Sequence, residues 1–110
     1  MKTAKADAAP SYLAAEGRAF FERITEEFEL DAPALQTLAL ACKQLDRIAE
    51  ARSVLQREPV VVPDRFGFPK THPAVEVERN AAVAFARLMR EIGLDLEPPS
   101  DVRPPRRPGA

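Results

Sequence analysis

His72 and Cys42 are the only histidine and the only cysteine of this 110-residue chain, and both residue types commonly do nucleophilic or metal chemistry. No Cys, Asp or second His stands at metal-ligand spacing from His72, so a zinc site is not expected. Cys42 falls on the apolar stripe of a predicted helix, where a cysteine usually fills space. His72 directly precedes Pro73, a pair that suits the first residues of a helix. We therefore predict structural roles for both residues.

The remaining candidates for catalysis are carboxylates and glycine-rich loops. The carboxylates stand beside Arg and Lys on predicted solvent faces, which is typical of a charged exterior. The four glycines are scattered along the chain, so no phosphate-binding loop is expected. The sequence therefore predicts no enzymatic activity, no metal and no cofactor.

Basic residues suggest a different chemistry, the binding of phosphate groups. Lys43 and Arg47 stand four residues apart on a predicted helix, and Arg65 and Lys70 flank a predicted hairpin. With two lysines near the N-terminus they make up the predicted DNA contacts: Lys2, Lys5, Lys43, Arg47, Arg65 and Lys70. The C-terminal arginines are predicted to bind DNA or to dock on a larger protein: Arg103, Arg106 and Arg107. For any single one of these positions, solvated surface is the simpler explanation.

Composition and charge limit the class of protein. Apolar residues are 45% and charged residues 30%, ordinary values for one small globular domain. The longest run without a charged residue, residues 32–42, is shorter than the roughly 20 residues that span a bilayer. No signal peptide is apparent, and a single cysteine suits a reducing cytosol. The net charge of −1 is low for a nucleic-acid binder, so DNA affinity must come from local patches or from many copies.

The elements that position these residues are predicted to be mainly helical. Ser11 is expected to cap a first amphipathic helix that ends near Leu30. Asp31 is expected to cap a second helix of about 27 residues, about 40 Å long, that Pro59 ends. The short link around Asp31 folds these helices into a long antiparallel hairpin. A DNA-binding helix-turn-helix is the less favoured alternative, because its helices are short and cross steeply.

A short β-hairpin at about residues 60–69 is predicted to follow. Residues 60–62 are three valines and favour a strand, residues 63–64 (Pro-Asp) favour a turn, and residues 66–68 (Phe-Gly-Phe) alternate like a returning strand. A lone two-stranded hairpin is marginally stable in water, so it must dock on its own helices or on a neighbouring subunit. The residues predicted to form a contact between subunits are Val61, Phe66 and Phe68.

The third helix is predicted to be capped by Thr71 or His72, to begin at Pro73 and to end at Gly93. We therefore expect one helical oligomerisation domain over residues 11–97, preceded by a flexible lead at residues 1–10. Residues 98–110 are rich in proline and arginine and are predicted to form a disordered tail that another protein binds.

The order and spacing of several short motifs within residues 11–97 resemble the small-subunit family of phage terminases. The motifs are LDR and EAR in the second helix, DRFG in the turn, K-x-HPA at the start of the third helix, and then ERNA and REIGL. The resemblance implies a non-catalytic protein that forms rings, binds double-stranded viral DNA and regulates the terminase large subunit, the motor that packages the genome. It also implies a location in the host cytoplasm during infection and no contact with a membrane.

Two functions of different classes therefore remain. A terminase small subunit predicts a large closed oligomer whose DNA binding is sensitive to salt. The alternative is a generic helical protein–protein interaction module that acts through its Pro/Arg-rich tail. It predicts a small oligomer, no DNA binding, and partner binding that depends on residues 98–110.

Overall fold

The computed structural model of the chain describes residues 8–94, which form three helices and one two-stranded antiparallel hairpin. In chain order the elements are α1 (Ala15–Glu27), α2 (Ala32–Arg57), β1 (Val61–Pro63), β2 (Pro69–Thr71) and α3 (Pro73–Ile92). The predicted class, a mainly α fold with a helical hairpin, a β-hairpin insert and a third helix, is confirmed. The predictions for residues 1–7 and for the tail lie outside the described residues.

The long helix α2 is the centre of the molecule, and the other two helices pack antiparallel to it. Because α1 has 13 residues and α2 has 26, α1 covers only the N-terminal half of α2. The helix α3 follows α2 over most of its length. Arg52 of α2 pairs with Glu78 near the start of α3, and Ile92 at the end of α3 packs against the core cluster that includes residues of the first half of α2. The longer antiparallel pair is therefore α2 with α3, which the β-hairpin connects.

The hydrophobic core lies in the half of the molecule where all three helices meet. Its buried members come from α1, the residues before it and the first half of α2: Leu13, Phe21, Ile24, Leu38, Ala39 and Cys42. Phe20 of α1 and Phe85 of α3 form an edge-to-face pair with ring centres 5.7 Å apart. The β-hairpin follows the far end of α2, so it lies away from this core.

The start of α1 differs from the prediction, because Ser11 is not its cap. The N-cap is Ala14, whose side chain accepts no hydrogen bond. Instead the carboxylate of Asp46, on α2, accepts from the N–H groups of Ala14 and Gly17, both at 2.7 Å. The start of α1 is therefore fixed by a tertiary contact, and its end comes at Glu27 rather than near Leu30.

The caps of the other two helices are local, as predicted. The side chain of Asp31 accepts from the N–H of Ala34 at 3.0 Å and begins α2. His72 begins α3, and its Nδ1 atom accepts from the N–H of Ala74 at 2.9 Å. Gly93 ends α3 in the left-handed region with φ of 69°. The prediction that His72 marks the start of the third helix is confirmed.

The β-hairpin has a different second strand from the predicted one. Val61 pairs with Thr71, and Pro63 pairs with Pro69. Residues 66–68, predicted to return as a strand, instead form the connecting loop. The hairpin therefore extends to residue 71, two residues beyond the predicted limit.

Asp64 explains why residues 66–68 are a loop. Its carboxylate accepts from the N–H groups of Phe66 and Phe68, at 2.8 and 2.9 Å. These side-chain bonds offer the backbone an alternative to a strand ladder. Gly67 has φ of 85°, a conformation that glycine adopts without steric cost. The Phe-Gly-Phe alternation is thus overridden by a loop built around one aspartate.

Candidate assembly and nucleic-acid surfaces

The tip of the β-hairpin is an exposed apolar surface. Phe66 is 72% and Phe68 is 66% exposed, and the nearby Val60 and Val61 are more than half exposed. The guanidinium of Arg65 lies 5.2 Å from the ring centre of Phe66, within the range of a cation–π contact. Val61, Phe66 and Phe68, the predicted contact residues, thus project from the helices. Grouped exposed apolar side chains make the tip a candidate interaction site.

The base of the hairpin is closed by a polar pair. Because Nδ1 of His72 accepts a backbone N–H, its Nε2 atom carries the proton and donates to Oε1 of Glu58 at 2.7 Å. Glu58 is the C-cap of α2, and His72 is the N-cap of α3. The pair therefore joins the two helices at the point where the hairpin leaves them. This geometry gives His72 a structural role.

The hydrogen bonds between the strands show which backbone groups face inward. The N–H of His72 donates to the carbonyl of Val60 at 2.6 Å, and the N–H of Asp64 donates to the carbonyl of Phe68 at 2.8 Å. The backbone groups of successive residues in a strand point alternately toward and away from the partner strand. The strand residues adjacent to these hydrogen-bonded positions therefore point outward.

The outward positions of the hairpin are rich in proline. In the two strands they are Val61, Pro63, Pro69 and Thr71. Proline has no N–H, so each free edge offers a single outward donor within the strand. Proline on an edge strand is a known protection against pairing with another chain. The edges of this hairpin are therefore poor templates for strand addition.

A second exposed apolar surface is a groove between α1 and α2 at the other end of the molecule. Its volume is about 480 Å³, and its lining is mostly apolar: Ala8, Pro10, Tyr12, Phe21, Leu35, Gln36, Ala39 and Leu40. Tyr12 and Leu40 are each 54% exposed. This groove was not predicted from the sequence, because it forms only when the segment before α1 lies against α2.

The structure places the predicted DNA contacts in two separate groups. Lys43 is half-buried and Arg47 exposed on α2, whereas Arg65 and Lys70 are exposed on the hairpin. Ten residues of α2, about 15 Å, separate Arg47 from the end of that helix. Within one chain the two groups do not form a single patch. The other predicted basic residues lie outside the described part of the chain: Lys2, Lys5, Arg103, Arg106 and Arg107.

Three further arginines are exposed on α3 and were not among the predicted contacts: Arg79, Arg87 and Arg90. Arg79 lies 3.7 Å from Glu76, so part of its charge is balanced locally. Their spacing in the sequence places them off the apolar stripe of α3, which predicts that they are exposed. They are a third candidate surface for phosphate.

Asp46 is a buried charged residue that the sequence analysis missed. It is 3% exposed and stands four residues after Cys42, on the side of α2 that faces α1. A buried carboxylate requires hydrogen-bond donors, which here are the backbone N–H groups at the start of α1. An aspartate on an apolar stripe was the signal that could have revealed it.

Cys42 is fully buried, as its place on the apolar stripe predicts. Burial, with a smaller effect of the Asp46 charge, raises the pKa of its thiol to about 12. The thiol is therefore protonated at neutral pH and unsuited to act as a nucleophile. Among residues 8–94, no three His, Cys, Asp or Glu side chains are grouped as metal ligands. The absence of enzymatic activity stays a prediction.

None of the helices within residues 8–94 has the length and apolar character that crossing a membrane requires. In searches against protein-family models, curated proteins and solved structures, no significant match to the chain was found. The function is therefore argued from the surfaces described above and from the sequence motifs.

Proposed function

We propose that the chain is the small subunit of a phage terminase, a non-catalytic adaptor that assembles into a ring in the host cytoplasm. In this role it binds viral DNA and regulates the large terminase subunit during packaging. The motif order within residues 11–97 suggests the family. The observation that carries the proposal is the projecting hairpin, whose Phe66 and Phe68 are exposed to water.

The exposed hairpin favours an assembling protein over a monomer. Apolar surface gains about 25 cal/mol for each Å² removed from water, and a buried phenylalanine contributes about 150–250 Å². A subunit contact that covers both rings therefore removes a large exposed apolar area. Nothing within residues 8–94 of the same chain covers these rings, so another molecule is the natural partner.

Assembly also reconciles the low net charge with DNA binding. A net charge of −1 gives a single chain little attraction for phosphate. A ring repeats each local basic group once in every copy, and simultaneous weak contacts multiply their effect. Lys43, Arg47, Arg65 and Lys70 are exposed or partly exposed and are the described candidates for those contacts.

The first test is the mass of the full-length protein in solution, measured by size-exclusion chromatography with light scattering. The expected result is a single large assembly that binds double-stranded DNA with an affinity that falls as salt rises. Mixing it with the terminase large subunit of a tailed phage should change the ATPase rate of that subunit.

A stable monomer or dimer at high protein concentration, without DNA binding, would contradict the proposal. The generic interaction module would then be favoured, and deletion of residues 98–110 should abolish its partner binding. The variant that tests the DNA contacts has Lys43, Arg47, Arg65 and Lys70 replaced by Gln. Unchanged DNA affinity of a large wild-type assembly after these changes would reject those four contacts.

A further inference from the structure

The two exposed apolar surfaces of the chain lie at opposite ends of α2. The groove includes Leu40, near the start of α2, and the hairpin tip follows Arg57, at its end. The 17 residues between these positions span about 25 Å of helix. The rigid helix between them prevents the hairpin tip from filling the groove of its own chain.

The two surfaces are complementary in size and polarity. The groove volume of about 480 Å³ lies within the roughly 300–1,000 Å³ typical of pockets that hold bulky apolar groups. Phe66 and Phe68 are the most exposed large apolar side chains within residues 8–94. The hairpin tip is a protrusion and the groove is a concave surface, which is the arrangement of a head-to-tail contact.

The lining of the groove carries no charge. Apart from Tyr12 and Gln36 it is apolar, and Phe21 is the one residue that α1 contributes to it. The hairpin carries two exposed cations, Arg65 and Lys70. These cations can stay in water at the rim while the two phenyl rings enter the groove.

We infer that the hairpin tip of one copy, Phe66 and Phe68, docks in the α1–α2 groove of the next copy, beside Leu40 and Tyr12. The inference rests on the proposed function and specifies both halves of its subunit contact. Because the two halves are different surfaces, each copy offers one tip and one groove. A heterologous contact of this kind repeats around a ring until the ring closes. Because the strand edges are rich in proline, side chains make this contact and backbone hydrogen bonds between strands do not.

The test uses two full-length variants that each remove one half of the contact. The tip variant is Phe66→Ser with Phe68→Ser, and the groove variant is Leu40→Lys. The matched control is Val83→Ser, because Val83 is 54% exposed like Leu40 but lies on α3, outside both surfaces. All substituted positions are exposed, so the fold should persist, and circular dichroism checks that it does.

The expected result is that the tip and groove variants each raise the concentration for half-assembly at least tenfold, while the control matches the wild type. Mixing the two variants is the decisive step. One intact tip and one intact groove remain in the mixture, so it should form dimers and no larger species. Such capped pairs are a property of heterologous contacts.

Other outcomes overturn the inference. If only the tip variant dissociates, the tips bind each other or a different surface. If neither variant dissociates, the groove takes another occupant, such as residues 1–7 or a separate protein. A wild-type ring that binds DNA while both variants still assemble rejects the inference alone. Assembly that follows the prediction but binds neither DNA nor the large subunit rejects the proposed function alone.

Discussion

At the scale of single residues, the close approach of Gly17 to Asp46 determines how α1 meets α2. The Asp46 carboxylate replaces a local cap, and Gly17 allows the backbones to approach closely. A Cβ atom at Gly17 would lie 2.5 Å from the carbonyl oxygen of Cys42 and 2.7 Å from Oδ2 of Asp46. Both distances are too short for van der Waals contact, and one of the two atoms belongs to the backbone. Glycine is therefore required here for packing and not for its own φ.

We predict that Gly17→Ala destabilises the fold, although alanine is the better helix former by about 1 kcal/mol. Overpacking costs about 1–3 kcal/mol, and disruption of the cap costs about 1 kcal/mol more. The net decrease in the free energy of unfolding should be about 1–3 kcal/mol, measured by urea denaturation at a fixed chain concentration. The control, Ala19→Gln, adds bulk at an exposed position of α1 and should change stability by less than about 0.5 kcal/mol. Equal stability of Gly17→Ala and wild type would disprove the close approach.

Residue roles that depend on neighbours in sequence were predictable, and those that depend on distant partners were not. Asp31, His72 and Gly93 act on backbone groups within four residues, so their types and positions suffice. Asp46 acts on α1 from 29 and 32 residues away. Its position four residues after Cys42 puts it on the apolar stripe, but that position does not indicate which distant N–H groups it binds. Ser11 was therefore predicted as the cap in its place.

At the scale of elements, the β-hairpin combines an exposed apolar tip with protected edges. Three valines predict the first strand, but that strand lies one residue later and includes Pro63, which was predicted to be in the turn. The length of the loop depends on Asp64, whose side chain competes with the ladder. The register that results places Pro63 and Pro69 opposite each other at outward positions. A strand edge that pairs with another chain would need backbone N–H donors at those two positions.

Replacing both prolines tests the role of the edges. We predict that Pro63→Thr with Pro69→Thr restores two outward N–H groups and allows chains to pair edge to edge. Light scattering should then show a broad range of larger species that grows with concentration, and thioflavin fluorescence should rise. The control is Pro33→Thr, the same change at the exposed start of α2, away from any strand. A double variant with the wild-type mass and no fluorescence would show that the prolines do not protect the edges.

At the scale of the whole molecule, docking of the tip in a groove would change which basic groups remain available to DNA. Arg65 and Lys70 would stand at the rim of the interface. Lys43 and Arg47 are not among the residues that line the groove, so they would stay accessible. Sequence alone could identify all four basic residues. It could not show which of them lie at the interface and which stay accessible to DNA, because that depends on where the copies touch.

We therefore predict different effects of neutralising the two groups. The slope of log affinity against log salt falls by about 0.9 for each phosphate that the protein no longer neutralises. Lys43→Gln with Arg47→Gln should reduce the slope while leaving the assembly mass unchanged. Arg65→Gln with Lys70→Gln should instead weaken assembly, because Arg65 packs on the Phe66 ring of the tip. The change of slope should be smaller when compared at concentrations where the ring persists. The control, Arg79→Gln with Arg90→Gln, removes the same charge from the third candidate surface, on α3. It should alter neither quantity when Lys43 and Arg47 are the contacts. A reduced slope confined to that control would place the DNA on α3, because its arginines would then be the groups that release counterions.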